Sequence, residues 1–140
     1  MGDDDAGIES IKKALAIEPA HAPWWIQLGS GYVKKKMIPE AKDAFQHAAD
    51  DTTAAGASSS ATGLQQLGFY SLTEKSYGKA TEQLEESVKR DPKQCMSWVW
   101  LGQARQNAGD KSGAIDAYRK ALDCKPGQPD ATKGLKSLGA

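Results

Sequence analysis

Leu67-Gly68 and Leu101-Gly102 stand 34 residues apart, and so do Ala80 and Ala114, Leu84 and Tyr118, and Pro92 and Pro126. Several independent columns agreeing on one period make the chain an array of similar supersecondary units, which restricts its fold more than any other feature. The same columns occur earlier as Leu28-Gly29, Ala41 and Phe45, offset by 39 from the next copy. The five extra residues fall between Phe45 and Leu64, where Thr52 to Thr62 (TTAAGASSSAT) reads as a lengthened loop. Ile11, Ala14 and Pro19 match columns of a second half, so residues 1–21 read as the second helix of a partial repeat. Residues 22–55, 61–94 and 95–128 read as full repeats, 56–60 as a loop insertion, and 129–140 as a C-terminal capping helix with Leu135 and Leu138. All of them belong to a single domain.

Each full copy holds two amphipathic helices. In the last, Trp98, Leu101, Ala104 and Ala108 are spaced by three and four, as are Ile115, Tyr118, Ala121 and Leu122. Such spacing collects apolar side chains on one helical face. Ala108-Gly109-Asp110 is a turn between them, with Gly a natural stop and Asp110 a cap for the next helix. Gly102 and Ala114 allow the two helices to approach closely, and Tyr118 fills the space beside them; Gly29, Ala41 and Phe45 repeat the arrangement. Pro92 and Pro126 end one hairpin before the next begins.

These residues resemble the tetratricopeptide repeat, W-x2-L-G-x2-Y then A-x3-F then P. Residues 95–128 show Trp98, Leu101, Gly102, Ala114, Tyr118, Ala121 and Pro126, with Arg105 in place of the Tyr. Residues 22–55 show Trp25, Leu28, Gly29, Tyr32, Ala41, Phe45 and Ala48, with Thr53 in place of the closing Pro. Residues 61–94 diverge most, keeping Leu64, Leu67, Gly68, Ala80, Leu84 and Pro92. The resemblance implies an all-α, right-handed superhelical solenoid of antiparallel hairpins with the first helix of each pair on the concave wall. It also implies a scaffold that binds a peptide or a helical segment of a partner protein.

The remaining first-helix residues then form a candidate peptide-binding groove of Ile26, Gln27, Ser30, Gln65, Gln66, Phe69, Val99, Trp100 and Gln103. It is neutral and rich in amides, which can both donate and accept hydrogen bonds. Phe69 and Trp100 offer aromatic anchors. Trp100 cannot share a face with Trp98, so it reads either as a groove residue or as packing between repeats. Family members that clamp the two carboxylates of a chaperone tail do so with Lys, Arg and Asn. The corresponding positions here are Ile26, Ser30, Gln66, Met96 and Trp100, none of them cationic.

Lys+Arg and Asp+Glu number 18 each, which gives no basic surface for nucleic acid. No apolar run is long enough to insert in a membrane, and the acidic start is unlike a secretory signal. Met1-Gly2 fails as a myristoylation signal because Ala6 occupies the Ser/Thr position. Cytoplasmic location is the default expectation. His21 and His47 fall in different hairpins with no metal-ligand spacing, and no catalytic motif or cofactor loop is present, so neither enzyme nor cofactor is expected. Cys95 and Cys124 bound one hairpin and read as free thiols. The partial repeat, with Ile8, Ile11 and Leu15 short of partners, suggests a segment of a larger repeat protein or a homo-oligomer through that edge. The alternatives are a regulatory or structural segment of a multidomain enzyme, and an oligomerisation module.

Overall fold

Apolar residues on a three-four spacing, interrupted at regular intervals by turn residues, give eight helices along residues 2–140. These are the residues that the structure, a computed structural model, describes. Met1, on which the myristoylation reading depends, lies outside them. The helices are α1 (Gly2–Ile17), α2 (Ala22–Lys34), α3 (Ile38–Ala49), α4 (Ala57–Thr73), α5 (Tyr77–Arg90), α6 (Cys95–Asn107), α7 (Lys111–Cys124) and α8 (Pro129–Ser137). Among the described residues none is long and apolar enough to cross a membrane.

Consecutive helices pack on each other. In addition the backbones of α2 and α4, of α4 and α6, and of α6 and α8 approach closely, whereas those of the second helices α1, α3, α5 and α7 stay apart and are bridged by a long side chain, Arg90 of α5 donating to the Ala49 carbonyl of α3 at 2.6 Å. Helices in contact on one side and splayed on the other bend the stack into a solenoid whose inner wall is α2, α4, α6 and α8.

The recurring small residues set the helix spacing. A Cβ on Gly29 would lie 2.5 Å from the Phe45 ring, one on Gly68 2.5 Å from Leu84, and one on Gly102 2.6 Å from Tyr118. Gly inside a helix costs about 1 kcal/mol relative to Ala. The close approach offsets this by burying Ala41, Phe45, Ala80, Leu84, Ala114 and Tyr118 almost completely. Tyr118 is clamped from a second side, since Gly134 of α8 rests against its ring. The turns repeat as well: Lys36, Lys75 and Gly109 occupy one column, and all three have positive φ, at 59°, 62° and 88°. Asp110 caps α7 as its sequence suggests, accepting from the Gly113 N–H at 3.0 Å.

Three expectations are corrected. Residues 57–60 are not loop. They form the first turn of α4, which begins four residues ahead of the register of α2 and α6, and the loop proper is 50–56. Ala and Ser carry no bulky group to oppose the helix, Ser60 is fully buried, and its Oγ donates to the Ala57 carbonyl at 3.1 Å. Asp51 shapes the loop by accepting from both the N–H and the hydroxyl of Thr53, and these bonds hold its carboxyl below the ordinary range. Second, Cys95 and Cys124 are joined as a disulfide with Cα atoms 5.6 Å apart, not free thiols. The first residue of α6 and the last of α7 meet because the hairpin is antiparallel with helices of 13 and 14 residues. Third, Ile8 and Leu15 do not lack partners: they are buried against α2 with Leu28 and Ala44, and Ile11, Trp24, Trp25 and Tyr32 pack around them.

Candidate functional site

The inner wall carries two kinds of position, because a first helix sits between the hairpin behind it and the one ahead. Side chains toward a neighbouring hairpin are buried, and the rest face the concavity. This division corrects two of the candidates. Val99 is fully buried, packed with Ala114, Tyr118 and Ala131. Gln65 is buried too, its amide donating to Ser97 Oγ at 3.0 Å and to Gln94 Oε1 at 3.3 Å. Neither faces the groove. Gln65 belongs to a polar seam in which Ser87 Oγ reaches the Ala61 carbonyl at 2.7 Å and Ser97 Oγ at 2.8 Å.

The other candidates fall into three neighbouring places. Ile26, Ser30 and Gln66 line a cleft of about 270 Å³ between α2 and α4, together with Val33, Lys34, Thr62 and the edge of Phe45. In the middle, Phe69 of α4 and Trp100 of α6 meet with ring centroids 4.8 Å apart, and Tyr70 stands edge-on to Phe69 at 5.6 Å. Both Phe69 and Trp100 are half-buried. Trp100 packs against the core clusters on both sides of α6, so it joins two repeats while keeping part of its ring in the groove. At the far end Gln103 lines a second cleft of about 270 Å³ between α6 and α8, with Gln106, Asp130, Lys133 and Ser137. Gln27 is exposed and lines neither cleft.

Polar chemistry here is amide and hydroxyl. Gln106 accepts from the Tyr118 hydroxyl at 2.7 Å and donates to Ser137 Oγ at 3.2 Å, which fixes its orientation. Burial pushes the Tyr118 hydroxyl above its ordinary pKa, with a smaller contribution from Asp130, so it stays a donor. Lys34 and Lys133 are the cations of the two clefts, one at each end. The contributions of Asp130, Lys133 and Ser137 were missed because α8 reads as a cap, and a cap has no obvious groove face. The signal was its register: α8 continues the column of first helices.

A larger apolar cleft of about 630 Å³ lies outside the groove, between α1 and α3 over α2. Its floor is Leu15, Trp25, Leu28, Tyr32 and Ala44. The corresponding gap between α5 and α7 is bridged by Arg105, which bonds Glu85 and the Gly113 carbonyl at 3.0 and 3.1 Å.

Comparison with known proteins agrees with this architecture. Residues 97–128 match the family model of the tetratricopeptide repeat. A repeat-containing protein of this kind from Pseudomonas aeruginosa is 46% identical over 44 residues, covering 31% of this chain and 42% of the relative. The match thus spans about two fifths of that relative's length. Among solved structures, a crystal structure of MamA has a TM-score of 0.69 at 20% identity, covering 99% of this chain and 80% of the other. The first TPR of Spaghetti (RPAP3), bound to the HSP90 peptide SRMEEVD, has a TM-score of 0.66 at 18% identity, covering 84% and 90%. The Arabidopsis OM64 TPR domain gives 0.65 at 18%, covering 84% and 93%. At these identities the likeness is one of fold.

Proposed function

From a chain built of tetratricopeptide repeats, we propose a protein-interaction module that holds an extended or helical segment of a partner on its concave wall. The observation that carries this reading is the Phe69–Trp100 pair, two half-buried rings from adjacent repeats at the centre of the wall, flanked by amide-lined clefts. Large aromatic groups that are partly desolvated already lose little on being covered, and they anchor interfaces for that reason. Gln66, Gln103 and Gln106 can pair with a peptide backbone in either sense.

The TPR domains solved with HSP90 and HSP70 peptides hold sequences ending in Glu-Glu-Val-Asp. In this chain Ile26, Ser30, Gln66, Met96 and Trp100 occupy the clamp columns. A segment with bulky apolar side chains therefore fits better than an acidic terminus. The Cys95–Cys124 bridge favours an oxidising compartment over the cytoplasm.

A random-peptide display library panned on the whole chain tests the reading. Enriched sequences should carry apolar residues and lose binding to Ser30→Arg and Gln66→Arg variants, whose side chains lie in the cleft rather than in the core. Phe69→Ala and Trp100→Ala should weaken capture while helicity by circular dichroism is kept. No enrichment over an unrelated helical protein, or enrichment indifferent to all four variants, would overturn it. The contacts of Trp100 with two core clusters favour a second reading, a purely structural wall, and unfolding of Trp100→Ala with unchanged capture by the other variants would support that one.

A further inference from the structure

Neighbouring second helices leave gaps on the outer side of the stack, and an arginine of the chain bridges two of them. Arg90 of α5 donates to the Ala49 carbonyl of α3 at 2.6 Å and to Glu86 of its own helix at 3.0 Å. Arg105 of α6 donates to the Gly113 carbonyl of α7 at 3.1 Å and to Glu85 of α5 at 3.0 Å. Between α1 and α3 the chain supplies other groups. Tyr32 stands in the column of Arg105, Lys12 in that of Glu85, and Glu40 in that of Gly113. An aromatic ring thus replaces the guanidinium, and the carboxylate has moved from the helix behind to the helix ahead.

The cleft at this place, of about 630 Å³, combines three surfaces. Leu15, Leu28 and Ala44 make a buried apolar floor. Trp25 and Tyr32 add half-buried aromatic surface, and His47 stacks on Trp25 with ring centroids 4.0 Å apart. On the α3 wall the carboxylates of Glu40 and Asp43 are exposed. Among the described residues Glu40 pairs with no cation, and Asp43 pairs only with His47, at 3.6 Å. Lys12, on the opposite wall, is tied to Glu9 of its own helix at 3.7 Å.

We propose that this cleft is a second docking site, which takes an arginine side chain and an adjacent apolar side chain from a segment of a partner protein. Charge selects a cation, because two carboxylates with little compensation from their own chain stand over aromatic surface. Geometry selects arginine over lysine. Its planar guanidinium lies flat on a ring while its fork engages a carboxylate through two hydrogen bonds. The chain's own Arg105 shows that one such side chain spans a gap of this kind. The apolar neighbour follows from size: the cleft exceeds one side chain, and covering its floor removes apolar surface from water. None of the lining residues belongs to the two clefts of the inner wall, so the site is independent of the groove.

Nuclear magnetic resonance titration of the whole isotope-labelled chain with a capped pentapeptide, Ala-Leu-Arg-Leu-Ala, tests this. The reporter is the Trp25 indole N–H, which donates to the Pro19 carbonyl at 2.8 Å beside the cleft. Saturable shifts should appear there and along α1 and α3. Peptides with lysine or citrulline in place of arginine should bind more weakly, the neutral citrulline by about fivefold or more. Single exposed ion pairs are worth little, so Glu40→Gln and Asp43→Asn are combined, and the double variant should lose a similar factor. Tyr32→Arg installs the side chain found in the third repeat and should abolish binding with helicity retained. Tyr32 also packs on the core, so the carboxylate variant decides if that one fails to fold. Ser30→Arg and Gln66→Arg should change nothing, which keeps failure of the groove distinct from failure of this site. The proposal is overturned by an absence of shifts at the cleft, by a lysine or citrulline peptide that binds as well as the arginine one, or by binding indifferent to loss of both carboxylates. Free arginine amide binding as tightly as the peptide would also overturn it, since the site would then be one for a small molecule.

Discussion

At the scale of the residue, the structure depends on a few positions where a Cβ decides the packing. Tyr118 is held between Gly102 and Gly134, so its ring cannot swing away from a methyl group added at either. Gly102→Ala should therefore destabilise by about 1–3 kcal/mol despite its better helix propensity, because overpacking outweighs the propensity gain. A lower denaturation midpoint with unchanged slope is the expected result, and a midpoint at or above wild type would contradict it. The turn column gives a prediction of opposite sign. Lys36 and Lys75 hold a left-handed conformation that costs a side chain about 1–2 kcal/mol, and the third turn meets it with Gly109. Lys36→Gly and Lys75→Gly should each stabilise by about 0.5–1 kcal/mol once the greater freedom of glycine in the unfolded chain is subtracted. Thermal midpoints of both variants check this, and a decrease in both would refute it. The packing glycines are legible in the sequence because they repeat. The left-handed lysines are not, since nothing in a lysine marks positive φ; only alignment with Gly109 could have pointed to them.

At the scale of the element, the third hairpin differs from the others in being closed at both ends, by the turn at 108–110 and by the Cys95–Cys124 bridge. Closing a loop whose ends stand 29 positions apart removes about 3–4 kcal/mol of unfolded-state entropy in the chain-entropy description. Adding a dithiol reductant, or replacing both cysteines by serine, should lower the denaturation midpoint by a corresponding amount; equal midpoints would mean that the bridge contributes nothing to stability. Sequence analysis read free thiols because cysteine count carries no geometry. That Cα atoms 29 residues apart lie 5.6 Å from each other follows only from the lengths and antiparallel packing of α6 and α7. The early start of α4 has a similar cause. Ala57-Ser58-Ser59-Ser60 is compositionally a loop, and burial of Ser60 at the hairpin junction makes it helix.

At the scale of the whole molecule, stability is a sum of repeats and the contacts between neighbours, so local opening should follow position in the stack. The centre is bound by apolar packing and by the seam of Gln65, Ser87, Gln94 and Ser97, whereas α1 is covered on one side only. Amide hydrogen exchange should thus be fastest in α1 and slowest in α4 to α6, and equal protection of α1 and α5 would contradict this ordering. The sequence by itself determined the repeat length, the hairpins and their small-residue contacts, because these follow from spacing along one or two helices. It also assigned Ile26, Gln27, Ser30, Gln66, Phe69, Trp100 and Gln103 to the first helices of their hairpins. Only the tertiary structure decided that Val99 and Gln65 are withdrawn from the inner wall, that α8 lends it Lys133 and Ser137, and that α1 buries Ile8 and Leu15 yet leaves Gly7 open. Helical periodicity tells which side chains share a face of one helix. Whether that face meets solvent or another helix depends on neighbours distant in the chain, and their distances are set by packing.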